Sequence, residues 1–80
     1  MKKLLEYLVK EIVSQPKKVK VKETSENGTV KLSFSVAPDD MGFIIGKGGR
    51  IISAIRSLLK TAATKAGKDV FLELEEVETD

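Results

Sequence analysis

A short glycine-rich segment with two positive charges and apolar flanks constrains this chain more than any other feature. It is the run Ile44-Ile45-Gly46-Lys47-Gly48-Gly49-Arg50-Ile51-Ile52. Glycine has no Cβ, so the backbone can turn sharply and come close to a ligand. The apolar residues on both sides predict two packed elements joined by a bare, basic turn. Because a turn that opens a helix presents N–H groups and the positive end of the helix dipole, this segment suits a phosphate group.

Hydrophobic periodicity predicts a first helix and three strands in the rest of the chain. Apolar residues at helical spacing predict the helix over about residues 3–14, and Pro16 stops it. The pair Asn27-Gly28 predicts a two-residue hairpin turn, because both positions tolerate positive φ. Strict alternation of apolar and polar residues predicts strands that include residues 19–22, 30–36 and 70–75.

Two helices are predicted between the second and third strands. The run Pro38-Asp39-Asp40 favours a helix start, and Gly46 is expected to end this short helix in the left-handed region. A longer helix is predicted from about Gly49 to Ala66, with Gly67 as its stop. The order α-β-β-α-α-β allows an antiparallel hairpin and a parallel third strand. The sequence therefore predicts an α+β domain with a three-stranded mixed sheet and all helices on one face.

The glycine-rich run resembles the signature of the KH domain, a module that binds RNA and single-stranded DNA. The signature is Ile-Gly-x-x-Gly-x-x-Ile, and residues 45–52 match it at every fixed position. Over residues 1–77 the chain is similar to the small, single-domain bacterial KH proteins of the KhpA type. The predicted element order is that of the type II, or prokaryotic-type, KH fold. Residues 78–80 are predicted to form a frayed acidic tail.

The resemblance implies a binding site for single-stranded RNA, or for single-stranded DNA, around the glycine loop. In a KH domain this loop clamps the backbone of about four nucleotides, and the bases lie in an adjacent apolar groove. The residues that the resemblance and the local chemistry assign to this site are Ile45, Gly46, Lys47, Gly48, Gly49, Arg50, Ile52, Ser53 and Lys68. The implied role is that of an RNA chaperone or post-transcriptional regulator.

The distribution of charge favours a polyanionic ligand, although a solvated helix face is the simpler alternative. The net charge is only +2, but the stretch from Met41 to Lys68 contains six basic residues and no acidic residue. One-sign charge beside a glycine loop is typical of a nucleic-acid site. A second alternative is a protein-interaction module, used for dimerisation or as a scaffold, with little RNA binding of its own. The intact glycines and the basic loop residue favour RNA binding.

Several other functions have little support in the sequence. The chain has no histidine and no cysteine, so the common nucleophile–base pairs, zinc sites and disulfides are absent. Gly42-x-x-x-Gly46-Lys47-Gly48 superficially resembles a phosphate-binding P-loop, but it is one residue too short and lacks the Ser or Thr that binds magnesium. Asp39 and Asp40 could be metal ligands, although helix capping explains them better. We therefore predict no catalytic residue, no metal and no cofactor.

Hydropathy, helical periodicity and the resemblance together predict the location and the partners. No apolar run approaches the roughly 20 residues of a membrane span, so a cytoplasmic location without membrane contact is expected. On the longer central helix, Ile51, Leu58 and Ala62 lie at the edge of the apolar arc, which predicts a homodimer interface. The alternative is that the first helix covers these residues. The resemblance also implies a heterodimer with a larger Jag-type RNA-binding protein.

Overall fold

The computed structural model describes residues 1–75, apart from the side chain of Lys47, so the tail expected at 78–80 lies outside the described residues. The elements are α1 (Lys2–Ile12), a short 3₁₀ turn (Pro16–Lys18), β1 (Lys20–Glu26), β2 (Thr29–Ser35), α2 (Pro38–Lys65) and β3 (Asp69–Leu74). Helix α1 ends two residues earlier than predicted, because Val13 is already extended (φ −92°, ψ 157°).

The three strands form one mixed sheet in the order β1-β2-β3, as predicted. Strand β1 pairs antiparallel with β2, and β2 pairs parallel with β3. Asn27 (φ 50°) and Gly28 (φ 80°) both adopt positive φ at the hairpin. This backbone matches the right-handed twist of the flanking strands, which explains why the Asn-Gly pair predicted the turn correctly.

Helix α2 is interrupted by two adjacent glycines in the left-handed region. Gly48 and Gly49 have φ of 68° and 75°, whereas a right-handed helix needs negative φ throughout. The interruption divides α2 into a first arm (residues 38–47) and a second arm (residues 50–65), which gives the predicted order α-β-β-α-α-β. The prediction that Gly46 takes the left-handed conformation was wrong. Two consecutive left-handed residues cost little at Gly48-Gly49, whereas Gly46-Lys47 would place a side chain in that strained region.

The second arm ends at Gly67, where the sequence predicted its stop. Gly67 has φ 71°, its N–H donates to the Thr64 carbonyl (3.1 Å), and the Lys68 N–H donates to the Ala63 carbonyl (2.9 Å). This pair of bonds is a Schellman motif, which satisfies two carbonyls that the helix leaves unpaired. The chain then enters β3, and the Asp69 N–H donates to the Gly28 carbonyl (3.1 Å) at the hairpin.

A single core lies between the sheet and the helices, all of which pack on one face. Strand β2 runs through its centre, and Phe34 is the largest fully buried side chain. The buried apolar residues are Leu5, Val9, Val13, Val30, Leu32, Phe34, Val36, Ala37, Ile44, Ile55, Leu59 and Ala63. Helix α1 lies over β1, and α2 lies over β3. Among the described residues, no helix is both long enough and apolar enough to span a membrane.

Candidate nucleic-acid interface

The junction between the two arms of α2 presents bare backbone at the surface. A Cβ built on Gly46 or on Gly48 would meet no other atom within 4 Å, apart from neighbouring helix backbone. A Cβ on Gly49 would lie 3.5 Å from the Cγ2 atom of Ile52, which is ordinary contact. The second arm begins directly after these glycines, so the positive end of its dipole faces the junction. A phosphate group could therefore approach the backbone closely here.

The isoleucines around the junction divide between the core and the surface. Ile44 is fully buried, whereas Ile45 is 53% exposed although it is the next residue. Ile52 is half-buried and packs against the core. An exposed isoleucine beside the loop contributes little to the core, so Ile45 is available as an apolar wall for a ligand. Ile52 is first of all a packing residue, and only its accessible part can line a groove.

The polar residues assigned to the site from the sequence do not all lie together. Arg50 and Ser53 are exposed at the start of the second arm, one turn apart and next to the glycines. Lys68 is also exposed, but it follows the other end of that arm. The 15 residue steps from Arg50 to Lys65 alone rise about 22 Å along the helix. Lys68 is therefore too far from Gly48 to belong to the same cluster.

The positive charges of the second arm of α2 face solvent without acidic partners in the described part of the chain. The ion pairs there join Lys10 to Glu6 (2.7 Å) and the N-terminal amine of Met1 to Glu23 (3.9 Å). Both pairs involve α1 or the residue before it. Since no described acidic group neutralises the second arm, its basic side chains keep their full attraction for a polyanion.

The second arm has two flanks of opposite chemistry on either side of its buried face, which follow from its helical period. One flank carries Arg56 and Lys60 among hydroxyl side chains. Its five residues, all exposed, are Ser53, Arg56, Ser57, Lys60 and Thr64. We call this set the basic flank. The six basic residues of this region are evident from the sequence, but the site predicted from the sequence does not include Arg56 and Lys60. Their spacing of four residues, which places them on one face, is the signal that could have identified them.

The opposite flank of the second arm is apolar and consists of Ile51, Leu58 and Ala62. We call this set the apolar flank. Leu58 is 53% exposed, while Ile51 and Ala62 are half-buried. The alternative in which the first helix covers these residues is therefore wrong for Leu58. Helix α1 lies over β1, and it leaves Leu58 open to solvent.

The open face of the sheet carries charges of both signs. Phe71 is 64% exposed there and lies beside Lys31 in the strand register. Asp69 and Glu73, two residues away on either side of Phe71, point to the same face of β3. This aromatic residue therefore lies in mixed surroundings, and the open face attracts a polyanion less than α2 does.

Asp40 has a structural role that the sequence did not indicate. Its carboxylate accepts hydrogen bonds from the Ser14 N–H (2.9 Å), the Ser14 hydroxyl (2.8 Å) and the Gln15 N–H (3.2 Å). The backbone bond from Ser14 is the main cause that lowers the pKa of Asp40, against the opposing effect of burial. Asp40 thus joins the segment after α1 to the start of α2. Within residues 1–75, no three acidic side chains cluster as metal ligands would.

The sequence matches a known protein family over nearly its whole length. The family of KhpA/KhpB KH domains matches residues 2–74. The RNA-binding protein KhpA of Clostridium acetobutylicum is 46% identical over 74 residues, which are 92% of this chain and 99% of that protein. The RNA-binding protein KhpA of Chlamydia pneumoniae is 43% identical over 76 residues, which are 95% of this chain and 97% of that protein.

Solved structures with the same fold include two crystal structures of Era. The crystal structure of Aquifex aeolicus Era bound to GDP.AlF4- superposes with a TM-score of 0.68 at 20% identity. The structure of Era with MgGDPNP and nucleotides 1506-1542 of 16S ribosomal RNA superposes with a TM-score of 0.63 at 21% identity. Both superpositions cover 99% of this chain, which spans 31% and 30% of those chains. At this identity, the likeness shows the fold alone.

Proposed function

Since this chain belongs to the KhpA/KhpB family of KH domains, we propose that it binds single-stranded RNA by clamping the phosphate backbone at the loop Gly46–Gly49. The observation that carries the proposal is the left-handed pair Gly48-Gly49, which leaves open backbone at the start of a helix. Lys47 and Arg50 add positive charge on either side of that pair. Such contacts position a strand and do not read its sequence.

The bases of the bound strand lie beside the loop, against Ile45 and the accessible part of Ile52. One exposed and one half-buried isoleucine offer an apolar surface next to the phosphate contacts. The loop holds one backbone, and no described element spans successive grooves of a duplex, so the ligand is single-stranded. Single-stranded DNA is a weaker alternative ligand, because the phosphate contacts are shared but the 2′-hydroxyl is missing.

The test changes the charge of the loop while keeping its backbone conformation accessible. The double substitution Lys47→Asp/Gly48→Asp alters the local charge by −3, and Asp tolerates positive φ better than most residues. We expect affinity for a labelled single-stranded RNA 12-mer to fall by at least ~2 kcal/mol, or about 30-fold, measured by fluorescence anisotropy. Duplex RNA of equal length should compete poorly.

The matched control is Lys47→Gln/Gly48→Asn, which adds similar bulk but no negative charge. We expect it to retain more of the binding, because a polyanion is not repelled by neutral side chains. Circular dichroism checks the fold of both variants. Unchanged affinity of the Asp variant, with its fold intact, would contradict the clamp.

We propose further that the protein acts as a homodimer in the cytoplasm, as an RNA chaperone or post-transcriptional regulator. The exposed Leu58 supports a two-fold contact, in which the apolar flank of one copy buries that of the other. Two linked loops would raise avidity for RNA without any new contact. The larger Jag-type partner that the resemblance implies would compete for the same flank.

A further inference from the structure

The basic flank of the second arm lies outside the loop and outside the apolar flank. Arg56 and Lys60 are exposed on it, one turn apart, and no described ion pair involves either of them. The solvated face of α1 differs from this flank because a basic residue on it is paired. Glu6 and Lys10, also four residues apart, form an ion pair with an N–O distance of 2.7 Å. The second arm has no acidic residue with which such a pair could form.

A shallow, open depression surrounds Lys60 and includes part of the basic flank. It has a volume of about 550 Å³ and is lined by Ser57, Lys60, Thr61, Thr64 and Lys65. The Thr61 and Thr64 hydroxyls donate to the carbonyls of Ser57 (3.0 Å) and Lys60 (2.9 Å). Since the threonine protons are used within the helix, the donors left for an anion are the two lysines and the Ser57 hydroxyl.

We propose that an RNA strand leaving the loop continues along the basic flank, where Arg56 and Lys60 bind successive phosphates of its backbone. The inference rests on the proposed function, because the loop must first hold the strand. Arg56 and Lys60 are separated by a helical rise of about 6 Å, and Lys60 lies about 15 Å beyond Arg50 along the helix. The footprint then exceeds the roughly four nucleotides that a KH loop clamps.

The other exposed surfaces described above are less suitable for this continuation. The apolar flank offers Leu58, which attracts no phosphate. The open face of the sheet carries Asp69 and Glu73 beside Phe71, and these acidic side chains repel a polyanion. Charge complementarity therefore selects the basic flank.

The experiment compares RNA of two lengths with two matched double variants. Arg56→Gln/Lys60→Gln removes the charges of the basic flank and keeps good helix formers. Lys20→Gln/Lys22→Gln removes two exposed charges on β1 and changes the net charge equally. Affinities of random-sequence single-stranded RNA 4-mers and 12-mers are measured by fluorescence anisotropy at several salt concentrations, and circular dichroism confirms the folds.

We expect Arg56→Gln/Lys60→Gln to weaken 12-mer binding about tenfold at low salt, with little effect on the 4-mer. The slope of log K against log salt for the 12-mer should become shallower by about 1.4, since two phosphate contacts on a single strand are lost. The β1 variant should keep most of the 12-mer affinity and the wild-type slope.

Three outcomes would overturn the inference. Equal losses in the two double variants would mean that net charge alone matters. Equal losses on the 4-mer and the 12-mer would place Arg56 and Lys60 in the loop site. Similar slopes of the wild type on both lengths would show that the strand does not continue, while 4-mer binding would leave the proposed function intact. Absence of binding to both lengths would refute the proposed function itself.

Discussion

At the scale of single residues, the three glycines of the loop have two different roles. Gly48 and Gly49 are needed for their backbone conformation, because both have positive φ. Gly46 has ordinary helical φ and open space around it, so its lack of a Cβ matters only if a ligand comes close. Substitutions can therefore distinguish the need for positive φ at Gly48 and Gly49 from the need for open space at Gly46.

Gly46→Ala should raise stability and weaken RNA binding at the same time. Alanine is a better helix former by up to about 1 kcal/mol, so the midpoint of thermal unfolding should rise. The added Cβ would obstruct the approach of the backbone, and we expect affinity for single-stranded RNA to fall several-fold. Gly42→Ala, one turn away with equally open space, is the control and should stabilise without this loss. Full RNA affinity of Gly46→Ala would argue against close approach at this position.

Local sequence chemistry predicted the glycine loop and its charge, but not which glycine turns the chain. Gly46, Gly48 and Gly49 can each adopt positive φ, and the choice depends on the direction in which the second arm packs. Likewise, Ile44 and Ile45 are equally apolar in the sequence, and only packing decides that the first is buried and the second exposed.

At the scale of elements, hydrogen bonds at the N-terminus of α2 hold this helix in place, in addition to the packing of its buried face. Asp40 accepts three hydrogen bonds from Ser14 and Gln15. The sequence predicted Asp40 as a helix-start acid, which is a local role. The residues that donate hydrogen bonds to it lie 25 and 26 positions earlier in the chain. Hydrophobic periodicity cannot predict a contact between segments so far apart.

Stability should depend on the ionisation of Asp40. Its pKa is lowered in the folded chain by the Ser14 and Gln15 donors, so the ionised carboxylate stabilises the fold above the unfolded value of 3.8. This contribution is lost as the pH falls below that value and through the lower folded pKa. Asp40→Asn should lower the thermal midpoint at pH 7, and the difference from the wild type should shrink below about pH 4. Thermal unfolding followed by circular dichroism measures both effects.

The control for this prediction is the neighbouring substitution Asp39→Asn. Asp39 is exposed, and among the described residues it accepts only a long bond from the Gln15 side chain (3.4 Å), so its loss should change little. An Asp40→Asn midpoint equal to that of the wild type at pH 7 would mean that these hydrogen bonds do not hold α2.

At the scale of the whole molecule, the fold separates three surfaces around one long helix. The glycine loop lies at the start of the second arm, with the basic flank along one side and the apolar flank along the other. The order of the elements and the pairing of the strands could be predicted from periodicity and the Asn-Gly turn. The exposure of Leu58 could not, because it depends on where α1 lies.

The homodimer is tested by Leu58→Asp. We expect a folded monomer, since the exposed site tolerates a charge at a cost of about 1 kcal/mol or less, while like charges would meet across the two-fold axis. Light scattering at ~100 μM, well above ordinary dimer dissociation constants, measures the mass. Ser57→Asp adds the same charge on the basic flank and should remain dimeric. A wild type that is already monomeric at this concentration would refute the dimer.

The central claim, that the glycine loop holds single-stranded RNA, is tested most directly by backbone amide NMR during titration with a single-stranded RNA 6-mer. We predict the largest chemical-shift changes at Gly46, Gly48, Gly49 and Arg50, because the strand contacts backbone there. Residues of the open sheet face, such as Lys31 and Phe71, should change little. Changes confined to the sheet face or to α1, with the loop amides unmoved, would contradict the account.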